Sequence, residues 1–222
     1  MTDVAAFDFD GTLTNRGSVF GFLVAVRDRR AVVDAALGLS PRLLHAAVAG
    51  GSVADRNKEE LFERVLAGVD VEHLRSVSAA FARQHVARHL RDDVRHRFDW
   101  HRTRGDRVLI VSASPECYVG PAGAQLGADA VIATRLEVGP SGALTGRYNG
   151  KNCRGEEKLR RLRAWIDEEE PAGRLWAYGN SRGDLRMLSA ADVGVNVGRL
   201  GRFGQLRQFD GLAAALSLGP PP

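Results

Sequence analysis

Two acidic residues one position apart, Asp8 and Asp10, are the residues of this chain best placed to do chemistry. They follow a short apolar run at residues 4–7 that predicts a buried strand, so they lie at the strand's carboxyl end. On a regular strand their side chains point to opposite faces, but Gly11 can break the strand and let the turn re-aim the second carboxylate. One acid can then attack a substrate while the other manages a proton, and both can face a cation.

Two further polar motifs follow other predicted strands. Ser112 ends the apolar run at 108–111, and Asn180 and Asp184 follow a strand predicted at 175–178. In open parallel sheets, ligands bind at the carboxyl ends of the strands. The sequence therefore predicts one site assembled from three strands. Ser114, just before Pro115, is interpreted as the N-cap of the next helix.

Short apolar strands alternate with helices along the chain, except for a block of helices at about 17–90. This order predicts an α/β sheet domain with a helical insert after its first strand. We expect a core domain at 1–16 and 91–222 and a cap domain at 17–90, with a break at 38–41 before a short apolar face at 43–48. The segments 136–138 and 144–147 predict a hairpin.

Composition excludes several classes of protein. The apolar share of 44% in 222 residues is enough for a sizeable core, and the net charge of +4 comes from cations interleaved with acids. That pattern does not favour nucleic-acid binding, whereas an anionic substrate fits it. Only Cys117 and Cys153 are present, which indicates structural thiols in a reducing cytosol rather than a disulfide scaffold.

No membrane segment or leader is predicted. The longest apolar run, 19–26, is too short to cross a bilayer, and the N-terminus lacks a basic segment followed by an apolar core. We therefore expect a cytoplasmic protein without a transmembrane segment. Its oligomeric state stays open.

The ordered set of motifs resembles the haloacid dehalogenase superfamily of phosphatases, in particular the branch that contains phosphoserine phosphatase. The resemblance covers nearly the whole chain. It implies a three-layer α/β/α Rossmann-like core with a parallel sheet and a helical cap inserted after the first motif. The matching residues are Asp8 to Thr12, Ser112, Lys158 within the stretch 153–158, and Gly179 to Asp184.

The resemblance also implies a function, a Mg²⁺-dependent phosphomonoester hydrolase that acts on a small phosphorylated metabolite. Asp8 would be the nucleophile that forms an aspartyl phosphate, and Asp10 would protonate the leaving alcohol and then activate water. Ser112 and Lys158 would bind the phosphoryl oxygens. The implied metal-binding residues are Asp8, Asp10 through its backbone carbonyl, Asn180 and Asp184.

Two positions depart from the family pattern. The fourth motif usually begins Gly-Asp, but here Asn180 follows Gly179, so one negative charge is missing. Either Asn180 binds the metal through its amide oxygen, or Asp184 compensates, which we favour, or metal binding is weak. Phosphoserine phosphatases also carry a glutamate shortly after the first motif, and that place falls on Gly17. Phosphoserine is therefore not the expected substrate.

Alternative functions and sites remain open at this stage. Phe20, Phe22 and Leu23 could form an apolar substrate wall, which would suit a phospholipid-type phosphatase, although packing within the cap is the simpler interpretation. Asn180 motivates a second alternative, a non-catalytic phosphate-binding protein on the same fold. His85 and His89 have the helical spacing of a Zn²⁺ pair, but no third ligand is evident and a solvated helix face is the expected explanation.

Overall fold

The computed structural model describes residues 2–39, 52–169, 173–198 and 208–212, and for 52–55 it describes the backbone alone. Residues 40–51, which include the predicted apolar face at 43–48, lie outside the described residues. Within the described ranges, no helix is both long enough and apolar enough to cross a bilayer.

A six-stranded, fully parallel sheet forms the centre of the protein. The strand order is β3-β2-β1-β6-β7-β8, and β4 and β5 pair separately as an antiparallel hairpin. The first strand is therefore central, with β2 on one side and β6 on the other. The strands are β1 (Val4–Phe7), β2 (Arg107–Pro115), β3 (Ala130–Thr134), β4 (Leu136–Val138), β5 (Leu144–Tyr148), β6 (Leu175–Gly179), β7 (Val193–Asn196) and β8 (Asp210–Gly211).

Helices cover both faces of this sheet. Along β1, Ala5 and Phe7 join one apolar cluster with Phe98, whereas Val4 and Ala6 join a second cluster on the opposite face. All four residues of β1 are buried, which is why the strand is apolar without alternation. The three-layer α/β/α architecture with a parallel sheet is thus confirmed.

Eight α-helices accompany the sheet within the described residues. The first four lie between β1 and the rest of the core, as the sequence predicts for the insert. Of these, α4 packs along α6, so the insert rests on a core helix. The helices are α1 (Val19–Val26), α2 (Arg29–Leu37), α3 (Ser52–Leu66), α4 (Val71–His89), α5 (Asp92–Thr103), α6 (Glu116–Leu126), α7 (Glu156–Glu169) and α8 (Leu185–Ala190).

The β4–β5 hairpin is joined to the helical insert by main-chain hydrogen bonds. The amide of Gly68 donates to the carbonyl of Leu144 at 2.8 Å, and the amide of Leu144 donates to the carbonyl of Val69 at 2.8 Å. Gly146 lies directly against the backbone of Glu63 in α3. The hairpin therefore packs with the insert, although it lies outside 17–90 in the sequence. The domain boundaries at 17 and 90 stay a prediction.

Candidate active site

Asp8 lies at the carboxyl end of β1, and its side chain is buried between two fixed donors. The hydroxyl of Thr12 donates to Oδ2 at 3.0 Å, and Nζ of Lys158 donates to Oδ1 at 2.8 Å. The Asp8 amide still donates to the carbonyl of Tyr178 at 2.9 Å, which continues the pairing of β1 with β6. The sheet thus holds the backbone of Asp8, and the two donors hold its carboxylate.

Lys158 lies between two carboxylates in the interior. Its Nζ is 2.8 Å from Asp8 and 2.6 Å from Oδ1 of Asp184, and only 1% of the residue is exposed. Although burial alone would lower the pKa of Lys158, the carboxylates of Asp184 and Asp8 raise it above its ordinary value. Lys158 is therefore a permanent cation at this site.

Burial also has the largest effect on the pKa of the Asp8 carboxyl group. It raises the pKa of Asp8 to about 7, with a further contribution from the nearby charge of Asp184, while Lys158 opposes the shift. A cation bound beside Asp8 would favour the ionised carboxylate that a nucleophile requires. The positive charge of Lys158 thus does not offset the effects of burial and of Asp184 on the pKa of Asp8.

Asp184 makes contacts that the sequence does not reveal. Its Oδ2 accepts hydrogen bonds from the amides of Asn180 and Ser181 and from the hydroxyl of Ser181, at 3.2, 3.0 and 2.8 Å. Its Oδ1 accepts from Lys158. Both oxygens of Asp184 are therefore engaged by the protein, and they order the loop after β6 and anchor the lysine.

The Asp10 carboxylate also receives hydrogen bonds from the protein. Ser18 donates through its amide to Oδ1 at 2.8 Å and through its hydroxyl to Oδ2 at 2.9 Å, and Ser114 donates to Oδ2 at 2.5 Å. The interpretation of Ser114 as an N-cap was wrong. Pro115 occupies the cap position of α6 without a side-chain hydrogen bond, because β2 continues to Pro115 and directs Ser114 toward Asp10.

Asn180 lies directly against the turn that follows β1. Gly11 has a left-handed φ of 81°, and a Cβ at this position would lie 2.0 Å from Nδ2 of Asn180. A glycine is therefore needed both for the turn and for the approach of the amide. Oδ1 of Asn180 is buried and has no hydrogen-bond partner.

The oxygen atoms at this edge of the sheet fit a hard cation. Over the described residues, no group of three or more His, Cys, Asp or Glu side chains converges to hold a metal. Lys158 already occupies the space between Asp8 and Asp184, and serines bind Asp10. The buried Oδ1 of Asn180, which has no hydrogen-bond partner, is an amide oxygen and so does not belong to those four residue types. Amide oxygens, like carboxylate oxygens, are ligands that Mg²⁺ prefers.

A small cavity of about 110 Å³ opens beside Asp8. Ser112, 1% exposed, lines it together with Lys158. The Ser112 hydroxyl accepts the amide hydrogen of Ser114 at 3.1 Å, so its own hydrogen is free to point to a ligand. Arg154 lines the same cavity and packs across Gly183, where a Cβ would lie 3.0 Å from Nε of the arginine. Arg154 was not predicted as a site residue from the sequence, although it lies four residues before Lys158.

A second cavity, of about 720 Å³, shares Asp10 and Ser181 with the first. Its lining includes Arg16, Gly17 and Asn180, and Arg91 lies at its wall, where it donates to the carbonyls of Gly11 and Val197. The lining thus combines cationic and amide side chains with Asp10, Ser181 and three glycines. The space extends from Asp10 to Gly17, at the start of the insert.

The other sequence-predicted candidates line neither of these two cavities. His85 is buried rather than solvated, with its ring 5.3 Å from Phe81 and 4.9 Å from His89, and no third ligand accompanies the histidine pair in the described structure. Both cysteines are free, and burial raises the pKa of Cys117 to about 11 and also raises that of Cys153, which disfavours reactive thiolates.

The apolar residues of α1 divide into two groups. Phe22 and Leu23 are fully buried, and the Phe22 ring lies 4.5 Å from that of Tyr118 in the core. Phe20 is 51% exposed, and it lines neither of the two cavities at the site. Phe22 and Leu23 therefore pack the interior and do not form a substrate wall.

Comparison with known proteins agrees with this geometry. The chain is 38% identical over 194 residues to Protein CicA of Caulobacter vibrioides, covering 85% of this chain and 83% of that protein. It is 26% identical over 196 residues to a histidinol-phosphatase of Neisseria meningitidis, covering 85% and 86%. A solved phosphoserine phosphatase with a phospho-aspartyl intermediate analogue shares the fold, with a TM-score of 0.68 at 18% identity over 98% of each chain.

The match to a protein family covers most of the chain. Residues 5–189, from β1 to the helix that follows the Asn180 loop, match the haloacid dehalogenase-like hydrolases. This range contains Asp8, Asp10, Ser112, Lys158 and Asp184 in the order that the motifs require. The protein belongs to the haloacid dehalogenase-like hydrolases.

Proposed function

We propose that this protein is a Mg²⁺-dependent phosphomonoester hydrolase that acts on a small phosphorylated metabolite through an aspartyl-phosphate intermediate. The observation that carries the proposal is the buried Asp8 carboxylate, held by Thr12 and Lys158 at the edge of a cavity that contains Ser112. The names of its relatives, histidinol-phosphatase and phosphoserine phosphatase, support the same reaction class.

In the first step, an oxygen of Asp8 attacks phosphorus as the bond to the leaving alcohol breaks, and Asp10 gives its proton to the departing oxygen. In the second step, Asp10 takes a proton from the water that attacks phosphorus as the bond between phosphorus and the Asp8 oxygen breaks, which releases phosphate and restores the Asp8 carboxylate. Asp10 is suited to both steps because it lines both cavities.

Three side chains would bind the phosphoryl oxygens. Ser112 donates a neutral hydrogen bond, whereas Lys158 and Arg154 contribute positive charge in a poorly solvated space. The charge of Lys158 is already opposed by Asp8 and Asp184, so the guanidinium of Arg154 supplies additional charge for a dianionic group.

Mg²⁺, when bound, would reduce the repulsion between the anionic phosphoryl group and Asp8. Its ligands in our proposal are the Asp8 carboxylate, the backbone carbonyl of Asp10 and Oδ1 of Asn180. Asp184 instead holds Lys158 and the loop, because its Oδ2 accepts three hydrogen bonds and its Oδ1 accepts from Lys158, whereas each oxygen of Asp8 accepts only one. This differs from our sequence-based preference for Asp184 as the compensating ligand.

The residues that line the second cavity support a polar leaving group. Asn15, Arg16 and Gly17 line it, whereas the apolar residues of α1 do not. With Gly17 in the place of the family's glutamate, nothing at this position would receive a substrate ammonium. The cavity therefore supports a polar metabolite with a further anionic or hydrogen-bonding group over a phospholipid.

The test is hydrolysis of 4-nitrophenyl phosphate by the purified protein with and without Mg²⁺, followed by acid quench to isolate a phosphorylated protein. We expect Asp8→Asn to lose turnover and phosphorylation together while its circular dichroism spectrum stays native. Turnover by Asp8→Asn above a small fraction of the wild-type rate would rule out the covalent mechanism. A wild-type protein that binds phosphate without hydrolysis would favour the non-catalytic alternative.

A further inference from the structure

Three hydroxyl groups form a connected network behind the Asp10 carboxylate. The Ser18 hydroxyl donates to Oδ2 at 2.9 Å and lies 2.7 Å from the hydroxyl of Tyr118. The Ser114 hydroxyl donates to the same Oδ2 at 2.5 Å. These residues come from separate parts of the fold, since Ser18 precedes α1 of the insert, Ser114 is near the end of β2, and Tyr118 belongs to α6.

The network is closed to solvent on the side away from the substrate. Ser18 and Tyr118 are fully buried and Ser114 is 3% exposed, whereas Asp10 is only half-buried and lines both cavities. Ser18 and Tyr118 line neither cavity and thus lie on the protein side of the acid, whereas Ser114 lies at the wall of the smaller cavity. The other side of Asp10 faces the space that a substrate would occupy. Burying three hydroxyls at one place is costly unless each is hydrogen-bonded.

Hydroxyl groups suit an acid that must change its protonation state. When Asp10 is ionised, Ser18 and Ser114 donate to it, and Tyr118 can donate to Ser18. When Oδ2 of Asp10 carries a proton, one of the two serine hydroxyls can rotate and accept it while the other still donates, whereas a backbone amide can only donate. The network therefore holds the side chain in one position in both states.

We propose that Ser18, Ser114 and Tyr118 are positioning residues for Asp10 in its two proton transfers, and that Ser18 couples the position of this acid to the helical insert. The proposal rests on the proposed function. In each turnover, the proton of the Asp10 carboxyl group moves to the leaving oxygen as the P–O bond breaks. The carboxylate then regains a proton from the attacking water. Ser18 is the residue immediately before α1, so a displacement of the insert also displaces two of the donors to Asp10.

The leaving group provides a direct test. A substituted phenyl phosphate with a good leaving group needs no proton, whereas one with a poor leaving group does. We expect Ser18→Ala and Ser114→Ala to lose about 10- to 100-fold in kcat with the poor leaving group and less than about 3-fold with the good one, as part of the contribution of general acid catalysis. Tyr118→Phe should show the same pattern more weakly.

A double-mutant comparison separates positioning from simple packing. Because the serines act through Asp10, adding Ser18→Ala to Asp10→Asn should cause no further loss with either substrate. Thr14→Val is the matched control, since Thr14 is also fully buried in the same loop but donates to the carbonyls of Phe9 and Arg16 and to no carboxylate. Thr14→Val should change kcat on both substrates by the same factor.

Equal losses on good and poor leaving groups in the serine variants, or an additional loss in the Asp10→Asn background, would overturn the proposal. If Ser18→Ala fails to fold in a melting experiment, Ser18→Thr and Tyr118→Phe carry the test, and Ser18→Thr should keep the wild-type leaving-group dependence. If Asp10→Asn keeps the wild-type rate, the proposed function itself is refuted. If Asp10→Asn loses activity but the serine variants keep the wild-type rate with the poor leaving group, only the positioning role is refuted.

Discussion

Nζ of Lys158 lies 2.6 Å from Oδ1 of Asp184, and both side chains are buried. This ion pair joins the first turn of α7 to the loop that follows β6, two segments that are 26 positions apart. The same aspartate receives the amides of its own loop on Oδ2. Asp184 therefore determines where both the lysine and the Asn180 loop lie.

Removing Asp184 should damage both the fold and the activity. Asp184→Ala leaves a buried ammonium with one partner fewer and unties the loop, so we expect a loss of about 3–5 kcal/mol in the free energy of unfolding. The value of kcat should fall by about 100-fold or more, because Lys158 is no longer held at the phosphoryl site. Urea denaturation and steady-state kinetics measure the two effects. Asp167→Ala, on the exposed face of α7, is the control, and equal behaviour of the two variants would remove Asp184 from the site.

Restoring the missing charge at position 180 should strengthen metal binding. Asn180→Asp places a carboxylate where the buried, unpartnered Oδ1 now lies. We expect half-saturation at a Mg²⁺ concentration about 10-fold lower, which corresponds to about 1.4 kcal/mol. Calorimetric titration of Mg²⁺ gives a readout independent of turnover. Asn15→Asp makes the same change elsewhere in the cavity that Asn180 lines and should have a smaller effect. A Mg²⁺ affinity unchanged in Asn180→Asp would contradict the ligand assignment.

Arg154 should bind the phosphoryl group of substrate and product. Arg154→Gln keeps a polar side chain of similar reach in the cavity but removes its charge, so inorganic phosphate should inhibit about 10-fold more weakly, the effect expected of one charge-assisted hydrogen bond. Arg154→Lys should restore part of the affinity. The inhibition constant for phosphate measures this directly. The control is Arg163→Gln, an exposed arginine of α7, the helix that begins two residues after Arg154, and an unchanged inhibition constant in Arg154→Gln would exclude the contact.

Truncation of Phe22 should destabilise the protein, whereas truncation of Phe20 should not. Phe22 is fully buried against Tyr118 and Phe81, so Phe22→Ala should cost about 3–5 kcal/mol of stability and lower the rates on all substrates alike. Phe20→Ala should leave the melting temperature nearly unchanged because half of this side chain is already exposed. A selective loss on a lipid phosphate in Phe20→Ala would revive the phospholipid alternative.

His101 should make the protein less stable in mild acid. Burial, with help from Arg97 and Arg104, lowers the pKa of His101 to about 3, while its ring contacts Asp106 and Tyr178 at 2.7 and 2.8 Å. The unfolded chain binds this proton near pH 6.5 and the folded protein does not, so stability should fall as the pH drops below about 6.5, by about 1.4 kcal/mol per pH unit. Urea denaturation at pH 7.5 and 5.0 should show the gap between the wild type and His101→Gln narrowing; a constant gap would contradict a neutral buried histidine.

Much of the fold could be predicted from local sequence. A central parallel strand is buried on both faces and must be apolar throughout, so Val4–Phe7 stood out, and the polar motifs necessarily followed such strands. Because the carboxyl ends of parallel strands share one edge, the sequence also indicated that Asp8, Ser112 and Asp184 would meet. The glycine after Asp10 indicated a turn for a reason of backbone geometry that needs no distant partner.

The partners of each polar group could not be predicted in the same way. Ser114 was mistaken for a cap because the hydrogen bond that it makes goes to Asp10, 104 positions away. Likewise, the contacts that engage both oxygens of Asp184, and the packing that buries Phe22 while leaving Phe20 exposed, depend on which helices and loops meet in space. Residue types and spacing determined the reaction that this chain can perform. Only the tertiary structure decided which polar groups are hydrogen-bonded to each other. A hydrogen bond acts over about 3 Å, and the spacing of residues along the chain does not show which of them come that close.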